Sequence, residues 1–323
     1  MRLNCCRSSI IILVSIFLLI FLVSCSPKNE IPKIGIIQLL EEEQLNIATE
    51  GVKDGLKESG FFDGQNINII QKSAQGDMSN IPLILKSFEN ENISLLVTNT
   101  TPCMVAAAKM VKKIPVVFTV SFSPQDAGVS APPDNLAGFY DPFDLEPFAG
   151  LLRECVPSIR RIGLPYTSSE VNAKFAAEKI KDICAKYGIE TCEIPITSIN
   201  DIPNAAQALV QKKIGAFVVS ADNTVYAGIS GLMKTAKEFN IPIFVTDPSI
   251  VKNGATIGYG IDYYDWGLQS GKLAGSILKG KYNKTGMIIP YKAYRLGINE
   301  KSCKEQNIKF PESIIKKADF IVK

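Results

Sequence analysis

The chain contains two halves with the same order of strand and helix patterns, and this repeat is the strongest constraint on its fold. The first and fourth strands of the first half begin at Lys33 and Ile114, and those of the second half begin at Arg161 and Ile241. The two offsets, 81 and 80 residues, are nearly equal. Short apolar runs that alternate with helical segments predict α/β units with parallel strands. We therefore expect an α/β fold of two Rossmann-like lobes with parallel sheets.

Polar side chains follow the third strand of each half. The segment from Ile93 to Pro102 ends in Thr-Asn-Thr-Thr-Pro, and the segment from Ile214 to Thr224 ends in Ser-Ala-Asp-Asn-Thr. The carboxyl ends of parallel strands meet at one edge of a sheet, where open α/β proteins bind ligands. Two lobes that face each other at these edges would form a cleft for a small ligand.

The chain after Thr256 breaks the repeat, because a strand with Tyr259 and a following helix have no counterpart in the first half. Such an extra unit is expected if the chain returns to the first lobe before it ends in the second. We therefore predict about three crossovers between the lobes, the first at 130–138 and the third at 280–286. The predicted boundaries are 33–121 plus 256–282 for the first lobe and 122–255 plus 283–323 for the second.

The N-terminal segment has the pattern of a secretory signal. Two arginines precede an apolar stretch from Ile10 to Val23, and the stretch closes with Leu-Val-Ser-Cys at Cys25. This run is shorter than the roughly 20 residues that span a bilayer. The tetrapeptide resembles the lipobox of bacterial lipoproteins, which implies that residues 1–24 are removed and that Cys25 is lipidated. Residues 25–32 would then be a tether, and the protein would be exported and anchored to a membrane.

Charge and histidine content exclude several classes of function. Without the two arginines of the signal, 33 basic residues face 32 acidic ones, so the chain has no electrostatic footprint for nucleic acid. It has no histidine, which removes the Ser–His and Cys–His nucleophile systems and most catalytic zinc sites. An enzyme that uses carboxylates or lysine stays possible on these grounds. Our prediction is a monomer that is not an enzyme and has no cofactor and no metal site.

Five cysteines follow Cys25, and no two of them have the Cys-x-x-Cys spacing of a zinc site. Cys184 near a helix end and Cys192 in the next strand could meet across a helix–sheet contact. The sequence leaves open whether these two are bonded or are buried thiols that serve as small apolar residues.

An ordered set of motifs points to a family. Its members are Lys33–Gln38, Gln75–Met78, Thr101-Pro102, Ile114–Phe118, Ser220–Thr224, Tyr259–Tyr264 and Lys309–Ser313. The set resembles the ABC transporter substrate-binding family that includes tryptophan- and tyrosine-uptake lipoproteins, which have the type I periplasmic binding protein fold. The resemblance implies a small-molecule ligand, in particular an aromatic amino acid, that is enclosed by hinge closure and delivered to ABC permease and ATPase subunits.

An amino-acid ligand needs an acceptor for its ammonium group, donors for its carboxylate and an apolar slot for its side chain. We expect Asp247 or Asp222 to meet the ammonium group, because a charge-assisted hydrogen bond is strong where water is excluded. The other predicted ligand-binding residues are Asn223, Thr101 and Ser121 for the carboxylate, Tyr166, Tyr259 and Phe122 for the ring, and Gln38 at the end of the first strand.

One position departs from the family pattern. Where the family commonly has an acidic residue before a proline, this chain has Ser123-Pro124, so the ligand could be another small nitrogenous solute. Two other interpretations stay open at this point. One is a surface sensor with the same cleft. The other is a hydrolase or lyase that uses Glu170 and Asp222, which would need these carboxylates about 5 to 10 Å apart.

Overall fold

The computed structural model describes residues 31–281, 286–306, 308 and 310–323. The predicted signal sequence, Cys25 and residues 26–30 of the tether lie outside the described residues. Within the described part of the chain, no helix has both the length and the apolar character needed to cross a membrane.

Six strands form the first sheet, which together with the helices packed on it is called lobe 1. The strand order is β11–β5–β4–β3–β1–β2, and every neighbouring pair is parallel. The strands are β1 (Lys33–Gln38), β2 (Asn68–Ser73), β3 (Leu95–Asn99), β4 (Val116–Ser121), β5 (Leu136–Tyr140) and β11 (Ile288–Pro290). The helices are α1 (Glu43–Glu58), α2 (Asn80–Asn90), α3 (Thr101–Met110) and α9 (Tyr263–Leu278).

Seven strands form the second sheet, which together with its helices is called lobe 2. The order is β13–β12–β10–β9–β8–β6–β7, and only the β10–β12 pair is antiparallel among the described strands. The strands are β6 (Arg161–Thr167), β7 (Glu190–Ile196), β8 (Ala216–Val219), β9 (Ile243–Val245), β10 (Ile257–Ile261), β12 (Tyr294–Asn299) and β13 (Phe320–Val322). The helices are α4 (Glu146–Cys155), α5 (Val171–Lys186), α6 (Ile202–Gln211), α7 (Asn223–Ala227), α8 (Ile229–Glu238), α10 (Glu300–Glu305) and α11 (Glu312–Lys317), with 3₁₀ turns at Ile199–Asp201 and Pro248–Asn253.

The central strands are apolar and buried on both faces. All residues of β3, β4 and β8 are buried, which is the pattern of parallel strands covered by helices on two sides. Helix α9 packs backbone to backbone on α1. The approach is so close at Gly267 that an added Cβ atom would lie only 2.0 Å from the Ala48 carbonyl oxygen. This contact fixes α9 to lobe 1 although α9 directly follows a strand of lobe 2.

The described chain crosses between the lobes three times, which confirms the predicted number of crossovers. The crossings are 141–145 between β5 and α4, Asp262 between β10 and α9, and 291–293 between β11 and β12. These three segments together are called the hinge. The two mostly parallel sheets confirm the predicted α/β fold of two Rossmann-like lobes.

The predicted boundaries assign residues 136–140 and 288–290 to the second lobe and residues 256–261 to the first, and the structure corrects all three assignments. Strand β5 pairs with β4 and with β11 in lobe 1, and β10 pairs with β9 and β12 in lobe 2. The segment expected to be the first crossing instead forms a turn within lobe 1, where Val116 N–H donates to the Asn135 carbonyl. The predicted third crossing at 280–286 is also wrong, because the elements before and after it, α9 and β11, both belong to lobe 1; residues 282–285 themselves lie outside the described chain.

The five cysteines after Cys25 are buried and free. Cys184 and Cys192 are therefore not bonded to each other in this structure, and burial raises the pKa of both thiols.

Candidate functional site

A cavity lies between the lobes, at the carboxyl ends of the strands of both sheets; the space in it that protein atoms leave unfilled, open solvent included, is about 430 Å³. Lobe 1, lobe 2 and the hinge all contribute to its wall. The lining residues are Thr100, Thr101, Val120, Ser121, Phe122, Tyr263 and Trp266 from lobe 1, Asn172, Ala221, Asn223, Thr246 and Ile261 from lobe 2, and Asp141 from the hinge.

Strained backbone shapes the lobe 1 wall. Thr100 has φ of 102° and Val120 has φ of 48°, a region that is unusual for β-branched residues. The β4–β5 register shifts at the same place, between Phe118 and Ser121, as at a β-bulge. Such strain is often stored at functional sites.

Hydroxyl groups line this part of the wall. Thr101 Oγ1 accepts hydrogen bonds from the Phe122 N–H at 3.3 Å and from Ser121 Oγ at 3.2 Å. Ser121 Oγ also lies 2.9 Å from the Phe122 carbonyl, and because a hydroxyl group has a single proton, Ser121 donates either to that carbonyl or to Thr101. Thr100 Oγ1 is buried and has no partner among the described residues. Lobe 1 therefore presents hydroxyl groups to the cavity, of which Thr100 Oγ1 is the unpaired one among the described residues.

Aromatic rings form the apolar side of the cavity. Trp266 Nε1 donates to the Phe139 carbonyl at 2.9 Å, which fixes the indole, and Tyr263 meets Trp266 edge to face with ring centroids 6.1 Å apart. Phe122 packs edge to face on Phe143 at 5.0 Å. Rings held in this way provide a preformed surface for another ring.

Glu170 organises the lobe 2 wall. The buried carboxylate lies immediately before α5, and its Oε1 accepts from Thr224 N–H at 3.0 Å and from Thr224 Oγ1 at 2.7 Å. Its Oε2 accepts from Asn172 Nδ2 at 3.0 Å, from the Asn223 N–H at 3.2 Å and from Asn223 Nδ2. Because both amides give their NH₂ groups to this carboxylate, their carbonyl oxygens lie on the opposite side. Asn172 Oδ1 is buried there without a partner in the described chain.

Asp141 is the carboxylate of the cavity wall. Its N–H donates to the Ser121 carbonyl at 3.0 Å, and its Oδ1 accepts from the Phe143 N–H at 2.7 Å and from the Tyr294 hydroxyl at 2.5 Å. Its Oδ2 has no hydrogen bond to the described residues. Burial raises the pKa of Asp141 to about 6, against the lowering effect of the Tyr294 hydroxyl. At neutral pH this group is therefore mainly ionised.

Four of the nine predicted ligand-binding residues line the cavity: Thr101, Ser121, Phe122 and Asn223. The other five, Gln38, Tyr166, Asp222, Asp247 and Tyr259, lie outside the described wall.

Internal hydrogen bonds account for two of these five. Asp222 caps α7: its Oδ1 accepts from Thr167 Oγ1 and the Val225 N–H, and its Oδ2 accepts from the Thr167 N–H at 2.6 Å. Burial, and then the neighbouring Glu170, raises the pKa of Asp222 to about 7. Gln38 is buried, and its amide bonds to Thr49 Oγ1 at 3.0 Å and to the Leu40 carbonyl at 3.1 Å. The side chains of Asp222 and Gln38 therefore stabilise the fold within their own lobes.

The other three have different surroundings. Tyr259 stacks on Tyr294 with ring centroids 5.4 Å apart, and Tyr166 packs at the edge of the lobe 2 core. Asp247 Oδ1 accepts from the Ser249 N–H at 2.8 Å, whereas its buried Oδ2 has no partner in the described chain. Burial raises the pKa of Asp247 to about 7.

Ser123, at the position that departs from the family pattern, also lies outside the wall and donates to Asp126 Oδ2 at 2.6 Å. Among the described residues, no cluster of histidine, cysteine, aspartate or glutamate side chains could hold a metal ion.

Sequence reasoning did not find Asp141, Tyr263 and Trp266 as wall residues. Asp141 directly follows β5, and Tyr263 and Trp266 open the helix after β10. In each case, a polar or aromatic residue just after a strand could have indicated a wall residue. That prediction requires knowing to which lobe the strand belongs.

Comparison with known proteins identifies the family. Residues 33–322 match the family model described as ABC transporter substrate binding protein. A tyrosine-binding protein of Clostridioides difficile strain R20291 is 32% identical over 252 residues, which are 77% of this chain and 73% of that protein.

Two solved structures are similar over 90% of this chain and 99% of their own. One is an ABC domain in complex with L-Trp from Streptococcus pneumoniae, with a TM-score of 0.83 and 26% identity. The other is the ligand-free, open structure of CD0873, a substrate binding protein with adhesive properties from Clostridium difficile, with a TM-score of 0.66 and 29% identity. On the extent of the family match, the chain belongs to the ABC transporter substrate binding protein family.

Proposed function

We propose that this protein is the substrate-binding component of an ABC importer and that its ligand is an aromatic amino acid such as tryptophan or tyrosine. The observation that carries the proposal is one cavity in which the rings of Phe122, Tyr263 and Trp266 lie beside hydroxyl, amide and carboxylate groups. An aromatic amino acid has an apolar ring, a carboxylate and an ammonium group, and so needs all three kinds of surface. The tyrosine and L-Trp that relatives bind, by their names, support this ligand class.

In this proposal the two lobes close around the ligand. The cavity wall combines residues of both lobes, and across the lobes Asn253 Nδ2 donates to Glu43 Oε2 at 3.0 Å. At similar sequence identity the structure is closer to the L-Trp complex than to the ligand-free open structure. These observations support a closed form here and hinge motion about the three crossings, which ligand contacts to both lobes would favour.

The proposal includes a lipid anchor and a membrane partner. Lipidated Cys25 would tether the mature protein to the membrane, and the closed, liganded protein would dock on the permease of an importer with its ATPase. Cys25→Ala is expected to prevent lipidation, so that the protein is no longer recovered with membranes. Recovery of the variant with membranes would contradict this part of the proposal.

Ligand binding can be tested on purified protein from Ser26 to Lys323, because Lys33–Lys323 is a compact unit by itself. We expect L-tryptophan, L-tyrosine or L-phenylalanine to raise the melting temperature and to bind in calorimetry, since a ligand at 100 times its Kd adds about 2.7 kcal/mol to the free energy of unfolding. Glycine and L-glutamate are the controls that lack a ring. If every aromatic amino acid fails and mass spectrometry finds a different co-purified solute, the aromatic ligand is wrong and the binding fold stands.

A further inference from the structure

We propose that Asp141, Asn172 and Asn223 together form a subsite for a primary ammonium group. This rests on the proposed function and extends it, because it names the side of the cavity that takes the amino group of the ligand. It also replaces Asp222 and Asp247, the expected partners of that group, neither of which lies in the described wall.

The first argument is the orientation of the two amides. Asn172 and Asn223 both donate their NH₂ groups to Glu170 Oε2, and Asn172 Nδ2 also donates to the Ala221 carbonyl at 2.8 Å. Since an amide carries its donors on nitrogen and its acceptor on oxygen, each side chain is left with an acceptor. This adds an acceptor role to the donor role expected of Asn223, because one of the two N–H groups of its amide is used by Glu170 and its carbonyl oxygen points away from that carboxylate.

The second argument is an acceptor without a donor. Asn172 is 4% exposed and lines the cavity, yet its Oδ1 has no hydrogen-bond partner among the described residues. Buried polar atoms in proteins are nearly always paired. A ligand N–H group in the cavity would supply the missing donor.

The third argument is charge. Both internal hydrogen bonds of Asp141 end on Oδ1, so Oδ2 is left for a ligand. The described cavity wall contains no lysine and no arginine, so nothing in it neutralises this carboxylate. An ammonium group has three N–H donors and one positive charge, which match three acceptors of which one is charged.

The test compares ligands that differ only in the amino group. L-tyrosine is paired with 3-(4-hydroxyphenyl)propionate, and L-tryptophan with indole-3-propionate, in calorimetry with the wild-type protein and with Asp141→Asn. The amide can keep both bonds of Oδ1, so the variant removes the charge and replaces the acceptor that faces the ligand with an N–H donor. We expect Asp141→Asn to weaken amino-acid binding about 30-fold or more and to change binding of the deaminated acid by less than about threefold. Asp144→Asn, an exposed carboxylate of the same hinge segment, is the matched control.

The pH dependence of the wild-type protein gives a second readout that needs no variant. Since burial raises the pKa of Asp141 to about 6, amino-acid affinity is expected to fall about tenfold between pH 7 and pH 5 as the carboxyl group gains a proton. Binding of the deaminated acid should not fall. Other groups that titrate in this range, Glu42, Asp222 and Asp247, lie outside the described wall and would affect both ligands alike.

The outcomes separate this proposal from the proposed function. If aromatic amino acids bind and Asp141→Asn leaves their affinity unchanged, the subsite is wrong and the function stands. If aromatic amino acids fail but leucine, lysine or putrescine binds and depends on Asp141, the subsite stands and the aromatic ligand is wrong. If the wild-type protein binds the deaminated acids as tightly as the amino acids, or binds no primary amine in this panel, the subsite is overturned.

Discussion

Replacing Glu170 with glutamine should destabilise the protein with almost no change of side-chain shape. The carboxylate accepts from Thr224 N–H and Oγ1 through one oxygen and from Asn172 and Asn223 through the other. A glutamine must turn its NH₂ group toward one of these two sets of donors. Thr224 is the less costly side, because its hydroxyl can rotate and accept, so that only the Thr224 N–H loses its acceptor.

The expected loss is about 2–4 kcal/mol in the free energy of unfolding at pH 7. A buried donor without an acceptor costs about 1–3 kcal/mol, and the bonds that remain lose their charge assistance, at about 1 kcal/mol. Part of this is offset because the substitution removes a negative charge that contributes to the raised pKa of Asp222.

Urea unfolding followed by circular dichroism measures this loss. Glu178→Gln on the exposed side of α5 is the matched control, and we expect it to stay within about 0.5 kcal/mol of the wild type. If Glu170→Gln is as stable as this control, the carboxylate does not hold the lobe 2 wall and the reasoning about the amide orientations is refuted.

Three further changes have defined outcomes. Tyr294→Phe removes the hydroxyl that donates to Asp141 and should weaken ligand binding in calorimetry by about threefold to tenfold; equal affinity would show that this hinge bond does not position the carboxylate. Burial raises the pKa of Asp247 from 3.8 to about 7, so the penalty for its ionised form grows between pH 4 and pH 7. Asp247→Asn should therefore be more stable than the wild type in urea at pH 8, by at most about 4 kcal/mol, and similar at pH 4; a less stable variant at pH 8 contradicts this. Gly267→Ala places a Cβ 2.0 Å from a carbonyl oxygen of α1 and should lower the melting temperature strongly, whereas Gly150→Ala in α4, which meets nothing within 4 Å, should raise it slightly; similar melting temperatures for the two would contradict the close packing of α1 on α9.

The repeat of strand and helix patterns was sufficient to predict two parallel sheets. Runs such as Phe217–Val219 are apolar because both faces of the strand are covered. The burial of such a strand can therefore be predicted from its own residues. The assignment of Leu136–Tyr140 and Ile257–Ile261 to a sheet is different. It depends on the strand with which each segment pairs, and the residues of a strand do not reveal its pairing partner.

The unknown strand partners also explain which residues of the site were predicted and which were missed. Thr101, Ser121 and Asn223 follow strands whose lobe was predicted correctly, and they line the cavity. Asp141 and Tyr263 follow β5 and β10, two of the three strands that the predicted boundaries place in the wrong lobe. Asp222 shows a second limit: it also follows a buried strand, but its carboxylate bonds to Thr167, 55 residues away in the chain, and only the folded structure shows that contact.

Trp266 allows the most direct test of the central claim, that an aromatic amino acid occupies the cavity between the lobes. It is the only tryptophan of the chain, and it lines the cavity, so its fluorescence reports on that cavity alone. Titration with L-tyrosine or L-phenylalanine, excited where only tryptophan absorbs, should give a saturable change in the emission of Trp266, and glycine should give none. Emission that stays constant with both aromatic amino acids, under conditions where calorimetry detects their binding, would place the ligand elsewhere and contradict the account.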